Sequence, residues 1–399
     1  MRWRSPRAVV AASASTLLAT VPVYLLGAAA TVLPAEWRLD GARLGLVACA
    51  FFVSSAIVSQ WGGGLADRRG ARPLVLGSAA GTVLALLGVS LLTGSYWVLL
   101  GWLVLAGVAN GIAQPAGNVV LGDHVPSGAH GLAFGLKVSA VPLATAGAGI
   151  LVSAFGTLQQ GWRYCFLAAA APALAVLLVP RQARRHSSRD RGHPTRLARR
   201  RALFLIAAAA ALGAAANTGL GTFYVSATVA GGQPAGRAAL FMTVASVVGI
   251  MTRVGSGALL DRWRIPPFLA AAALLVTGLL GVLAIVARPP TGVLLVATLA
   301  AFGLGWSWQG LLAHGVAARW PGRAGAATGA FHTGLFVGAA GGPLLLGVVA
   351  DHGGYGVVWL VMGGLLAAAT TGVLAAEWVT RRPDHRRDCE EAPSSTTIS

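Results

Sequence analysis

Twelve apolar segments, each close to the length of a helix that crosses a bilayer, take up most of this 399-residue chain. They run at roughly 8–33, 44–66, 73–93, 97–122, 131–155 and 162–180, then at 202–229, 238–260, 266–287, 291–318, 327–350 and 355–378. In hydrocarbon no water is available to backbone N–H and C=O groups, so a stretch of about 20 apolar residues must satisfy them internally as helix. The sequence therefore predicts an all-α integral membrane protein with twelve transmembrane helices. Composition agrees, since only 11% of residues are charged, against about 25% in soluble domains.

The charges that remain sit in the breaks. A net charge of +18 would suggest nucleic acid if read alone, but the arginines are dispersed between apolar runs rather than gathered on one face. Nucleic acid is excluded as a partner and membrane lipid expected instead. With the N-terminus in the cytoplasm, 23 basic residues fall on the cytoplasmic side and 5 outside, with Lys137 and Arg253 inside spans. The positive-inside rule then predicts a multi-pass protein of the cell (inner) membrane with both termini cytoplasmic. The run from Ala8 to Leu33 is longer than the ~7–15 residues of a signal h-region and is read as the first span. Expected units are an N-terminal six-helix bundle at 1–180, a basic cytoplasmic linker at 181–201, a C-terminal bundle at 202–380 and a disordered cytoplasmic tail at 381–399. The three cysteines, Cys49, Cys165 and Cys389, show neither a disulfide framework nor metal-ligand spacing. No cofactor or metal is expected.

The second half repeats the first. "GGGLADRRGARP" at 62–73 is echoed by "GSGALLDRWRIP" at 255–266, with Asp67 and Asp261 194 residues apart. Gln114 and Gln309, Lys137 and His332, and Pro126 and Pro321 each stand 195 apart. A common offset argues for two homologous six-helix halves. The six-plus-six arrangement, the basic central loop and "GGLADRRGAR" between spans two and three resemble the major facilitator superfamily. Gly63, Leu65, Asp67, Arg68, Gly70 and Arg72 match that family's loop signature, Ala71 departs from it, and the copy has Arg264 in place of its glycine.

The resemblance implies a secondary transporter with two pseudo-symmetric bundles rocking about a site near the midplane. It also implies that Asp67 faces the start of span eleven and Asp261 the start of span five. A carboxylate is favourable at a helix N-terminus, and Arg68 and Arg262 are placed to link these acids to adjoining loops. Gly63, Asp67, Arg68, Arg72, Arg253, Asp261 and Arg262 are therefore the expected gating set. Asp67 and Asp261 would hold the outward-open state, or else serve as solvated topology signals.

Substrate contacts are sought on the family's cavity-lining spans. Span one carries Thr16, Thr20 and Tyr24, and span four Asn110, Gln114 and Asn118, both stepping by four and so sharing a face. Span seven adds Asn217 and Tyr224, and span ten Trp306, Gln309 and His314. Helix–helix hydrogen bonding is the alternative role for these polar groups. Lys137, the only lysine, lies in span five and His332 in span eleven. A buried lysine costs about 2.5–3.5 kcal/mol or more, so Lys137 either meets a partner in the cavity or snorkels to the cytoplasmic surface. His332 is read as a ligand contact, a proton carrier or a bonded core histidine.

All twelve acids lie in loops, tail or span ends, which leaves a positive cavity. The leading expectation is a transporter of a small organic anion, possible carboxylate ligands being met by Lys137, driven by a proton or counter-substrate gradient. The alternative is a proton-coupled efflux antiporter for drugs or neutral metabolites, although span five, "LKVSAVPLATAGAG", lacks the Gly-Pro pair of many such exporters. No catalytic motif and no P-loop occurs, so neither an enzyme nor an ATP-driven pump is expected. A monomer is the expected state.

Overall fold

A computed structural model describes residues 6–29, 32–37, 41–155, 158–178, 197–287 and 289–381. Most of the linker and all of the tail beyond Arg381 lie outside the described residues. The described residues are helical almost throughout. Ten helices among them are long and apolar enough to cross a membrane. The last, Ala324–Arg381, reverses at Gly354 (φ 70°, ψ 173°) and supplies spans eleven and twelve. Span six is the 18-residue helix Gly161–Leu178. The protein is an all-α, multi-pass membrane protein with twelve spans in two pseudo-symmetric six-helix bundles.

Spans one to four are Pro6–Ala29, Gly41–Arg69, Ala71–Leu92 and Tyr96–His124. Spans seven to nine are Leu197–Ala230, Ala235–Trp263 and Pro267–Val286. Two spans are broken where hydropathy reads one continuous run. Span five is His130–Val138 followed by Ala140–Phe155. Span ten is Thr291–Thr298, a π turn at Leu299–Leu304, an interruption at Gly305–Ser307, then Trp308–Arg319. A shift in backbone hydrogen bonding leaves hydropathy unchanged, so these breaks had no apolar signature.

Small residues set the helix spacing. Gly334, Gly338 and Gly342 each lie against a backbone of span seven, at Ala207, Ala211 and Ala215, where a methyl group would overlap it. Without a hydrophobic drive between helices in lipid, such close backbone approach supplies the packing. Arg319 donates to Glu377 at 2.8 Å and to the Thr380 hydroxyl, and lies over Phe268, tying spans nine, ten and twelve at one end of the bundle. That end, the motif end, also carries both Asp-Arg motifs. The turn after span two uses Gly70 at φ 84°. The equivalent residue, Arg264, adopts φ 51° despite its side chain, a conformation that costs a non-glycine residue roughly 1–2 kcal/mol.

Candidate functional site

The two motifs make the same structure twice. Span two crosses span eleven with Gly63 against the Gly325 carbonyl, and span eight crosses span five with Gly257 against the Gly131 carbonyl. A methyl group on any of the four glycines would fall on the opposing backbone. Beside each crossing the aspartate caps the partner helix. Asp67 accepts from the N–H groups of Gly325 (2.9 Å) and Ala326 (2.8 Å), and Asp261 from those of Gly131 (2.8 Å) and Leu132 (2.9 Å). Both oxygens of each carboxylate thus engage otherwise orphaned helix-start donors. The motif end is closed by glycine contact and two charge-assisted caps.

Arg68 and Arg262 take no part in this. Both are exposed and neither forms a hydrogen bond to another described residue, so the expected links to adjoining loops are absent. Arg72 is exposed as well. The Arg68 and Arg262 side chains follow solvent at the bundle edge, and each acid engages backbone N–H groups of the facing helix.

One helical turn beyond the glycines the two copies diverge. At the first crossing Ser59 lies against Gly329, donating to its carbonyl at 3.0 Å and pairing with the Thr333 hydroxyl at 2.9 Å. At the second, the backbone of Arg253 lies against Gly135. These positions share the 194 offset. Lys137 is therefore equivalent to Phe331, and His332 stands one residue further on, a correction to the 195-residue pairing of Lys137 with His332.

Arg253 does not belong to the Asp261 cap, where the sequence placed it. Helical side chains lean toward their own N-terminus, which sends this guanidinium away from Asp261 toward Gly249, the middle of its span. There Nη2 donates to the Trp306 carbonyl at 3.3 Å, beside the break in span ten. The Tyr24 hydroxyl of span one is within electrostatic reach of it. Trp306 packs edge-on to Phe302 at 4.8 Å and leans on span seven at Gly221. Asn217, one turn from Gly221, is buried with no partner for Nδ2. Gln309 is half-buried one residue past Trp308. Arg253 is 9% exposed and has no carboxylate partner among the described residues.

Lys137 is 1% exposed and does not reach the surface. Its ammonium donates to the Gln114 carbonyl (2.9 Å), to Gln114 Oε1 (3.3 Å) and to Asn118 Oδ1 (2.6 Å). Three donors meet three neutral acceptors, all on span four. The stripe continues as Gln114 donates to Asn110 Oδ1 (3.2 Å) and Asn110 to the Ser55 hydroxyl (3.1 Å). At its other end Asn118 meets His332 Nε2 at 3.1 Å, crossing from one bundle to the other. His332 stacks on Phe336 and leaves Nδ1 buried without a partner.

The structure thus gathers Lys137, Gln114, Asn118, Asn110 and His332 into one chain. Tyr24, Arg253 and Trp306 form a second group near mid-span, with Asn217 buried one turn from the glycine on which that tryptophan leans. Sequence reasoning missed Gly131, Gly325, Ser59 and Thr333. The first two lie 194 residues apart and a search at that offset finds them. Ser59 and Thr333 have no such signal.

A profile of the Major Facilitator Superfamily matches residues 12–331. The fold resembles the crystal structure of FucP in the outward conformation, with TM-score 0.72 and 16% identity over 93% of this chain and 99% of that one. It also resembles the human organic anion transporter MFSD10 (TETRAN), with TM-score 0.69 and 16% identity over 92% and 99%. The gentisate transporter of Corynebacterium glutamicum is 29% identical over 162 residues, 39% of this chain and 36% of that protein, so the match spans about a third of that relative. The motif loop between spans two and three, the duplicated bundle and the match over most of its length agree: the chain belongs to the major facilitator superfamily.

Proposed function

We propose that the protein is a secondary transporter of a small organic anion, working by alternating access with the motif end cytoplasmic. The observation that carries the reading is the guanidinium of Arg253, buried near mid-span with one long hydrogen bond and no acid to neutralise it among the described residues. A buried cation is costly unless paired, and an anionic substrate would pair it each time it binds. Lys137 adds a second positive charge but has no N–H to spare. Arg253 therefore takes the anion, and Lys137 sets the field around it. Support also comes from the two relatives whose names concern gentisate and organic anions.

Thermal unfolding of the detergent-solubilised protein tests this. Gentisate and benzoate should raise the melting point, because a ligand at 100 times its Kd adds about 2.7 kcal/mol. Fucose, xylose and tetraphenylphosphonium should not. Stabilisation by the lipophilic cation alone would instead promote the efflux reading.

In this scheme Asp67 and Asp261 latch the outward-open state. Each alanine replacement removes two charge-assisted hydrogen bonds at a partly solvated helix start. A loss of about 1–2 kcal/mol is expected, or roughly 5- to 30-fold in the ratio of closed to open motif end. Spin-label distances across that end report the ratio, and an unchanged distribution in Asp67→Ala would remove the latch from the mechanism.

A further inference from the structure

The bridge between Lys137 and His332 fixes its own protons. A lysine ammonium only donates, so the Asn118 atom 2.6 Å from it is the amide oxygen, and the atom facing His332 is the NH2 group. His332 Nε2 must then accept, which puts the ring proton on Nδ1, the buried nitrogen without a partner. A proton arriving on Nε2 would set N–H against NH2. Rotating the amide would answer that clash but turn the NH2 group onto the Lys137 ammonium. One amide cannot serve two cations.

The closed arrangement therefore holds a single positive charge. Asn118 is fully buried and His332 6% exposed, so no bulk water screens a second one. Span two presents Ser59 and Phe52 near this part of span eleven, and span seven presents Ala207. Among the described residues Lys137, joined to the histidine through Asn118, is the charged group that acts on it. Asp67, at the end of span two, accepts from two backbone N–H groups at the start of span eleven.

We propose that Lys137, Asn118 and His332 form a proton-binding site that couples the two bundles without any carboxylate. A proton taken up at His332 Nε2 breaks the Asn118 bridge, and span eleven parts from span four, opening the motif end. The proton comes from bulk solvent and returns to it when the bridge re-forms. This goes beyond the anion reading and does not depend on it.

Spin labels at His124 and Trp263, both exposed at the motif end, test the proposal in a full-length chain with Cys49, Cys165 and Cys389 changed to serine. Between about pH 8 and pH 5, where histidine changes charge, the ratio of short to long distances should fall by about tenfold or more. His332→Asn cannot take the proton and should hold the short distance throughout. Asn118→Asp offers acceptor oxygens to both cations and should also stay short at low pH, whereas a merely structural bridge would leave its response like that of the parent. His314→Asn should behave as the parent, since that ring meets His130 and Phe134 elsewhere on the interface. The nitrogen spectrum of histidine-labelled parent protein should show the Nδ1–H form of His332 at high pH. A pH-independent distance in the parent, a parent-like response in either His332→Asn or Asn118→Asp, or the Nε2–H form at high pH would each overturn the proposal.

Discussion

Arg253→Gln is expected to weaken carboxylate binding by about 30- to 150-fold, read as the ligand concentration needed for a given rise in melting temperature. The figure follows from removing one partner of a desolvated, hydrogen-bonded charge pair, at least about 2–3 kcal/mol, with each 1.4 kcal/mol worth tenfold. Glutamine keeps a donor toward the Trp306 carbonyl, so the break in span ten retains that tie to span eight beside the Ser307 hydroxyl's bond to the Gly249 carbonyl. Arg253→Lys keeps the charge but not the planar fork and should fall between the two. Lys137→Gln should bind carboxylates within a few-fold of the parent, because its ammonium already spends its three protons on span four. If Lys137→Gln loses binding and Arg253→Gln keeps it, the anion sits on the lysine and the assignment made here is wrong.

Gly63→Ala and Gly64→Ala, adjacent changes in the same motif, should have opposite consequences. A methyl group on Gly63 would occupy the position of the Gly325 carbonyl oxygen, and backbone cannot swing aside as a side chain can. Overpacking of this kind costs about 1–3 kcal/mol where neighbours can adjust. Here the upper end is expected, about 150-fold against the closed motif end. Gly64 has open space where its methyl would stand, and alanine favours helix over glycine by about 1 kcal/mol. That variant should keep the parent distance distribution and melt slightly higher. Gly257→Ala should reproduce Gly63→Ala, since the second crossing is built like the first. Equal behaviour of Gly63→Ala and Gly64→Ala would mean that the close crossing does not limit closure.

The twelve spans were legible because hydropathy records the solvent a segment requires, and each segment required lipid. The breaks in spans five and ten were not, because Ser139 and the Gly305–Ser307 turn are as acceptable to an apolar window as any helix. The aspartates were readable through the charge preference of a helix start. Their companions Arg68 and Arg262 were not, because a flexible exposed side chain has no partner dictated by spacing. The stripe Asn110, Gln114, Asn118 showed on sequence as one polar face. What it serves did not show, because Lys137 approaches from another helix and takes its acceptors partly from a backbone carbonyl. Arg253 was assigned to the wrong neighbour for a directional reason: eight residues separate it from Asp261, and helical side chains lean away from their C-terminus.

The equivalence of Ser59 and Arg253 has a meaning of its own. Both stand one turn beyond a glycine crossing, with their backbones pressed on a facing glycine. Ser59 spends its side chain on the facing helix of its crossing, while Arg253 meets the facing helix with its backbone and sends its side chain to span ten. Duplication thus left two copies of one joint, each capped by its aspartate, and only the first has a side-chain fastening at this further position. The equivalent position in the other copy carries a buried charge, so a fold with two like joints holds an asymmetric arrangement of charge.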